Sequence, residues 1–239
     1  NSDEPSPLLL QKSCHDMDIL LWLIGSNCKK IASFGHLGYF NSENKPQGAG
    51  DRCIDCKVED QCPYSAKKIY LDSIGKWPTT VISEIQTREA VEKALAQGPY
   101  GRCVFSCDNN VVDHQATILE FDNGVTVTFN LSAFSNKVHR TIRVMGTLGE
   151  IIADDSLNEI EYQIFGSNER TVINPKVVAG GHGGGDTGLM GDFVDLVMNK
   201  SGEALTSAAT SVESHMMAFA AEESRLNNKI VEMEDYYKG

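Results

Sequence analysis

The order of elements along this sequence predicts an α+β domain, a largely antiparallel open β-sheet with helices packed on one face. Three observations carry that expectation. Residues 115–121 and 125–131 alternate apolar and polar around Asp122-Asn123-Gly124, the pattern of a β-hairpin. More short strand patterns follow, separated by turn residues. Helical patterns lie before and after the run of strands.

Taken in order, residues 13–24 predict a helix. Ser13 stands as its N-cap, Asp16 occupies the capping-box position, and Gly25 suits a left-handed C-terminal residue. Residues 41–66 read as irregular, with 41–51 rich in Asn, Gly and Pro and a cysteine cluster after them. Residues 87–97 predict a short helix: Val91, Ala94 and Leu95 share a face, Glu89 and Lys93 form an i,i+4 pair, and Gly98 stops it. Residues 103–105 open the strands. In 125–131, Val125, Val127, Phe129 and Leu131 face one way. Strands at 140–145 and 150–153 flank a turn at 146–149, and strands at 159–165 and 170–173 flank Gly166-Ser167-Asn168. After a glycine-rich loop, residues 189–198 read helical through Leu189, Phe193, Val194 and Val197. A long helix runs from 206 to about 226, and 229–233 form a closing strand. The polar alternate face of the sheet is open either to solvent or to another subunit.

Composition narrows the function. A length of 239 residues allows one or two compact units. The formal charge of −12 argues against a phosphate-binding surface, so no nucleic-acid partner is expected. No apolar run exceeds six residues, so neither a membrane partner nor a secretory signal is expected. Seven cysteines without an export signal suggest a reducing cytoplasm rather than a disulfide framework.

Two constellations stand out. Lys12-Ser13-Cys14-His15-Asp16-Met17-Asp18 concentrates ionisable groups just before an apolar helical run. An imidazole beside a carboxylate suits proton movement near neutral pH, and the plainer reading is a set of caps on a buried helix. Cys53-x-x-Cys56-x5-Cys62 has the short first spacing of a zinc knuckle but is one ligand short. Cys28, His36 or Cys14 are candidates for the fourth. Structural zinc and free thiols both fit the spacing. Cys103 and Cys107 read as small apolar groups on one side of a strand. His114 and His139 read as strand-end residues, His215 as a residue at the core edge, and Glu222, Glu223 and Arg225 as a solvated, ion-paired helix face. Gly180 to Gly185 has no strand–turn–helix context and no acidic residue placed for a ribose, so it predicts no dinucleotide site.

The phrase from Lys12 to Leu20 resembles the H-D-x-D helix start in the C-terminal domain of the glucose–fructose oxidoreductase, inositol dehydrogenase and MocA (Gfo/Idh/MocA) family. Five more phrases resemble the same family in a compatible order: Tyr100-Gly101-Arg102-Cys103-Val104, Val111-Val112-Asp113-His114, Gly146-Thr147-Leu148-Gly149-Glu150, Gly181-His182-Gly183-Gly184-Gly185-Asp186, and the stretch from Ser214 to Arg225. The resemblance covers nearly the whole chain.

That resemblance implies that residues 1–239 are a C-terminal substrate-binding and oligomerisation domain with a cysteine-containing irregular insertion at about 41–66. Members carry a dinucleotide-binding Rossmann domain before this point, and its Gly-rich turn and Glu-Lys-Pro motif do not occur here. The chain therefore reads as a fragment, expected to be inactive alone. The implied reaction passes a hydride from a sugar or cyclitol carbon to NAD or NADP while a base takes the hydroxyl proton. The implied roles are acid/base for His15, helper for Lys12, and substrate contact for Asp16, His182 and Asp186. Asp16 and Asp18 equally suit the helix N-terminus, and Asp186 suits a helix N-cap. The family's usual Asp four residues before the His is Gln11 here, which cannot titrate. Family sheets pair between subunits, which implies a homodimer or homotetramer through the sheet and a small polyhydroxy substrate. The rival reading is a non-catalytic binding or assembly module of the same fold, with or without a zinc staple.

Overall fold

The computed structural model describes residues 6–178, 180–199 and 207–237. It is an α+β fold. In chain order the first half forms α1 (Leu8–Ile24), β1 (Cys28–His36), α2 (Ala66–Leu71), α3 (Thr79–Ile82), α4 (Arg88–Gln97), β2 (His114–Phe121) and β3 (Thr126–Ser132). The second half forms β4 (Thr141–Met145), β5 (Gly149–Asp154), β6 (Glu159–Ile164), β7 (Arg170–Ile173), α5 (Gly185–Asn199), α6 (Ala208–Asn227), β8 (Val231–Glu232) and α7 (Met233–Tyr237). The predicted start of the long helix, Thr206, lies outside the described residues. The strands fall into two open, antiparallel four-stranded sheets, ordered β3-β2-β1-β8 and β4-β5-β6-β7. The chain divides into two compact units, Asn1–Phe134 with Val212–Gly239, and Ser135–Ser211.

In the first unit, α1 begins more than a turn before the capping pattern predicts, with Pro7 at its N-cap. Leu8, Leu9 and Leu10 are strong helix formers and Leu9 is fully buried, so propensity and burial together extend the helix. Ser13 is consequently a buried residue inside the helix, not its cap. His15, Asp16 and Asp18 lie mid-helix, away from the positive end. Gly25 does close the helix, at φ 64° with its N–H donating to the Leu21 carbonyl at 2.9 Å.

No sequence alternation announces β1, because Lys29, Lys30, Gly35 and His36 interrupt it. Pairing with β2 settles its register: Ile31 stands opposite Leu119, Ser33 opposite Thr117 and Gly35 opposite Gln115. A Cβ on Gly35 would come within 2.5 Å of the His114 carbonyl oxygen, so only glycine allows this approach. Ile31 and Leu119 join Leu9, Met17 and Leu21 of α1 and Met217, Ala218 and Ala221 of α6 in one buried cluster. Val127, Phe129 and Leu131 pack against it from β3, as the alternation predicts. Phe34 and Ile118, on the other side of the sheet, stay exposed. The hairpin turn at Asn123-Gly124 is as predicted, with Gly124 at φ 84°.

Two polar features tie α6 to the sheet. Ser224 Oγ accepts the Ser33 N–H at 2.9 Å and donates to the Lys229 carbonyl at 2.6 Å. Arg225 grips Glu222 through two hydrogen bonds, at 2.9 and 2.5 Å, and reaches the Gly35 carbonyl at 3.4 Å. Both side chains are largely buried, which corrects the expected solvated face at Glu222 and Arg225. His215 is exposed, not at the core edge.

Between β1 and β2 the chain forms a lobe with its own small core of Cys53, Ala66, Val91 and Leu95. Short 3-10 turns at Ser42–Asn44, Cys53–Asp55 and Glu59–Gln61 account for its irregular half. Thr87 caps α4 by accepting the Ala90 N–H, and Gly98 ends it. The ion pair on α4 is Arg88 with Glu92. Residues 103–105, expected as a strand, are a turn following a single bridge from Arg52 to Arg102.

The sheet of the second unit is a four-stranded meander with three hairpin connections. Its register puts Ile142, Val144, Ile151, Ile160, Tyr162 and Ile173 on one face. Arg143 pairs with Glu150, and Arg170 with Glu161, on the other. None of the described apolar side chains of this unit is buried.

Breaking the Glu222–Arg225 pair leaves a guanidinium with little water around it. Glu222→Ala is expected to lower stability by about 3 kcal/mol, read from urea unfolding midpoints. A loss within error of zero would show that the pair contributes nothing to the fold.

Candidate active site

Helix α1 presents Lys12 and His15 one turn apart on its exposed side, and Ile19 and Trp22 continue the same stripe. Trp22 is 78% exposed, an unusual state for so large an apolar ring. The Cys14 sulfur lies 3.6 Å from His15 Nδ1. Asp16 is half-buried, a quarter turn round the helix from His15. Gln11, in the position of the family's titrating Asp, donates from its amide to the Ser6 carbonyl at 2.9 Å. It acts in the first turn of the helix, not beside the imidazole.

His182 and Asp186 lie in the other unit, at the entry to α5. His182 adopts left-handed backbone angles, φ 50° and ψ 42°. Its Nδ1 is 2.9 Å from Asp186 Oδ1, and both side chains are well exposed. Asp186 thus meets a side chain rather than serving as a helix cap, and the pair offers polar atoms to water or a ligand.

A third constellation escapes sequence reasoning. Asp113 is buried, 2% exposed, at the start of β2. Its Oδ2 accepts the backbone N–H of Tyr39 at 2.6 Å and of Phe40 at 3.2 Å, and its Oδ1 meets His114 Nδ1 at 2.8 Å. Burial works against the charge, but these donors outweigh it and hold the carboxyl below its usual range. The His114 ring, its Nδ1 turned toward Asp113, is half-exposed. The β1–β2 register sets His36 opposite, with its ring edge-on to His114 at 4.6 Å. Tyr39, Phe40, Tyr64, Phe105 and Phe134 cluster nearby, linked through the two residues that Asp113 holds. The adjacent Asp113-His114 in the sequence was a signal for the dyad; nothing local marks His36 as its neighbour.

The cysteines divide by surroundings. Cys28 belongs to the main core, where burial pushes its thiol up to about 12. Cys107 donates to the Cys103 carbonyl at 3.2 Å. Cys53, Cys56 and Cys62 line one small pocket, and the fourth cysteine there is Cys103, not Cys14, Cys28 or His36. Among the described residues, no group of three or more His, Cys, Asp or Glu side chains is set to hold a metal ion as it stands. Among them, too, no helix is long and apolar enough to cross a membrane.

The first unit is thus an open antiparallel sheet under two helices, one of which displays Lys12 and His15, and comparison with known proteins places the chain in a family. Residues 3–233 match the family model described as the oxidoreductase family, C-terminal alpha/beta domain. The chain belongs to the Gfo/Idh/MocA oxidoreductase family and corresponds to its C-terminal domain. YteT of Bacillus subtilis (strain 168), which carries an oxidoreductase name, is 23% identical over 206 residues, 78% of this chain and 46% of YteT. The crystal structure of an oxidoreductase domain protein from Kribbella flavida superposes with a TM-score of 0.60 at 13% identity, over 97% of this chain and 53% of that one. Levoglucosan dehydrogenase, solved with NADH and levoglucosan, superposes with a TM-score of 0.56 at 12% identity, over 92% of this chain and 48% of that one. The chain thus spans about half the length of the relatives it matches.

Asp113 is a stronger acid in the folded protein than in the unfolded chain. A carboxyl that loses its proton more readily folded than unfolded contributes stability above its unfolded value, near 3.9. That contribution is lost as pH falls through the lower folded value. Asp113→Asn is therefore expected to flatten the decline in urea midpoint below about pH 5. An unchanged acid limb would remove Asp113 as its source.

Proposed function

We propose that this chain is the substrate and oligomerisation domain of a nicotinamide-dependent oxidoreductase acting on a sugar, cyclitol or related polyhydroxy compound. The observation that carries the reading is the exposed stripe of α1. Lys12 and His15 stand beside Ile19 and Trp22, so ionisable groups border apolar surface that a neighbouring domain can cover. A cofactor domain docked there would place a nicotinamide beside a substrate held against His15. NAD or NADP, held by that domain, would supply the hydride acceptor. His15 takes the hydroxyl proton, Lys12 favours the developing alkoxide by its charge, and Asp16 contacts a hydroxyl or steadies the imidazole. His182 and Asp186 supply further hydroxyl partners. Gln11 cannot share the proton, so His15 works without the family's usual carboxylate. The chain without a cofactor domain is expected to be inactive, and a cytoplasmic location suits its seven free thiols.

The second sheet supports the oligomerisation half of the reading. Its Ile142, Val144, Ile151, Ile160, Tyr162 and Ile173 make an apolar face with no buried member. A like sheet from another copy, in a homodimer or homotetramer, can remove that face from water.

His15→Asn, made in the protein together with its cofactor domain, is expected to lower turnover by about 10²–10⁴-fold. The exposed site predicts an unchanged unfolding midpoint. Unchanged turnover would end the assignment. Ile151→Lys is expected to shift the protein to monomer in light scattering, and an unaltered mass would move the interface elsewhere.

A further inference from the structure

We propose that Cys53, Cys56, Cys62 and Cys103 together bind one thiophilic divalent cation of the zinc class, as a structural staple of the lobe between β1 and β2. This does not rest on the redox reading. Four thiols from two separate stretches of chain, 53–62 and 103, line one small pocket, beside Pro46 and Phe105. The backbone brings them there without help from sulfur. The Cys103 N–H donates to the Asp51 carbonyl at 2.8 Å, and Arg52 bridges to Arg102 in the adjoining position. The Arg52 guanidinium also bonds the Leu95 and Gly98 carbonyls at the end of α4, which fixes the 51–56 segment to that helix.

The local geometry is that of a metal knuckle. Cys53 and Cys56 flank a 3-10 turn closed by the Cys56 N–H on the Cys53 carbonyl at 3.4 Å. A second turn delivers Cys62, whose N–H donates to the Glu59 carbonyl at 3.0 Å. The sulfur of Cys56 accepts the Gly50 N–H at 3.4 Å, and that of Cys53 accepts a backbone N–H from Ala66. Donors of this kind stabilise thiolate ligands from the outer shell. Lys45 supplies a nearby positive charge that interacts with Cys56 and Cys103, offsetting the excess negative charge of four thiolates around a dication. Glu59 borders the pocket but is engaged by Ser65 and Lys67, which leaves the sulfurs as the donors.

The lobe has little apolar area of its own to hold it together. Its buried apolar core comprises four residues, and its first half has only 3-10 turns. A tetrahedral cross-link between Cys53, Cys56, Cys62 and Cys103 would tie that half to the loop after α4. Among the described residues no group of three or more His, Cys, Asp or Glu side chains is spaced to hold an ion, so binding requires the sulfurs to turn toward one centre. On uptake each sulfur gives up its proton to water, so four S–H bonds are exchanged for four sulfur–metal bonds.

The full chain, purified without chelator from zinc-replete cells, should carry about one zinc per chain by plasma mass spectrometry. Cys103→Ser should bring this below about a tenth of an equivalent, whereas Cys107→Ser should leave it unchanged. If Cys103→Ser does not fold, wild-type protein decides the question. Cobalt exchanged into it should show thiolate-to-metal charge-transfer absorption, and chelation should lower Tm reversibly. Zinc retained by a folded Cys103→Ser would overturn the proposal. So would metal-free wild-type protein that takes up no cobalt, whether its four thiols react freely or are paired as disulfides.

Discussion

The pairing of β1 with β2 is the constraint on which the first unit depends. Side chains alternate across a sheet, so a slip of one residue would turn Ile31 and Leu119 out to solvent and Phe34 and Ile118 in. Gly35 helps fix the register, since its place opposite Gln115 has no room for a side chain. The same register aligns the Ser33 and Thr117 hydroxyls at 3.0 Å, lets Gln115 donate to Ser33, and presents the Ser33 N–H to Ser224. Helix α6 is thus positioned by hydrogen bonds as well as by the small side chains of Ala218 and Ala221. The end of the strand pair then brings His36 to His114, beside the buried Asp113.

Helix α1 links fold to chemistry. Leu9, Met17 and Leu21 anchor one side in the core, so the opposite side cannot also be satisfied within this unit. That side carries Lys12, His15, Ile19 and Trp22. The ionisable cluster that looks like a helix cap in sequence therefore becomes a mid-helix surface. Its electrostatics come from neighbouring side chains and any docked domain rather than from the helix terminus, because the macrodipole acts mainly within the end turns.

The lobe between β1 and β2 follows a different logic. It buries few apolar groups and relies on caps and ties, among them Thr87 on α4, Arg52 on the last carbonyls of that helix, and Ser65 accepting the Lys68 N–H at the start of α2. Such a segment holds its shape through particular polar contacts more than through area removed from water. That makes the gathering of four cysteines in its middle consequential for stability.

The sequence by itself determined the features written in local periodicity and turn chemistry. The β2–β3 hairpin with its Asn123-Gly124 turn is one, α4 between Thr87 and Gly98 is another, and the hairpins around 146–149 and 166–168 complete the set. His15 and the three cysteines from Cys53 to Cys62 were legible as residues of interest because their spacing is short-range. The tertiary structure alone decided the start of α1, where burial of Leu9 overrides the Ser13 capping pattern. It also decided the burial of Arg225 with Glu222, the meeting of His36 with His114, and the place of Cys103 beside Cys53. Each of these joins residues far apart in sequence, or depends on what covers a side chain. Such contacts arise only when distant segments meet, and no local pattern encodes which segment that will be.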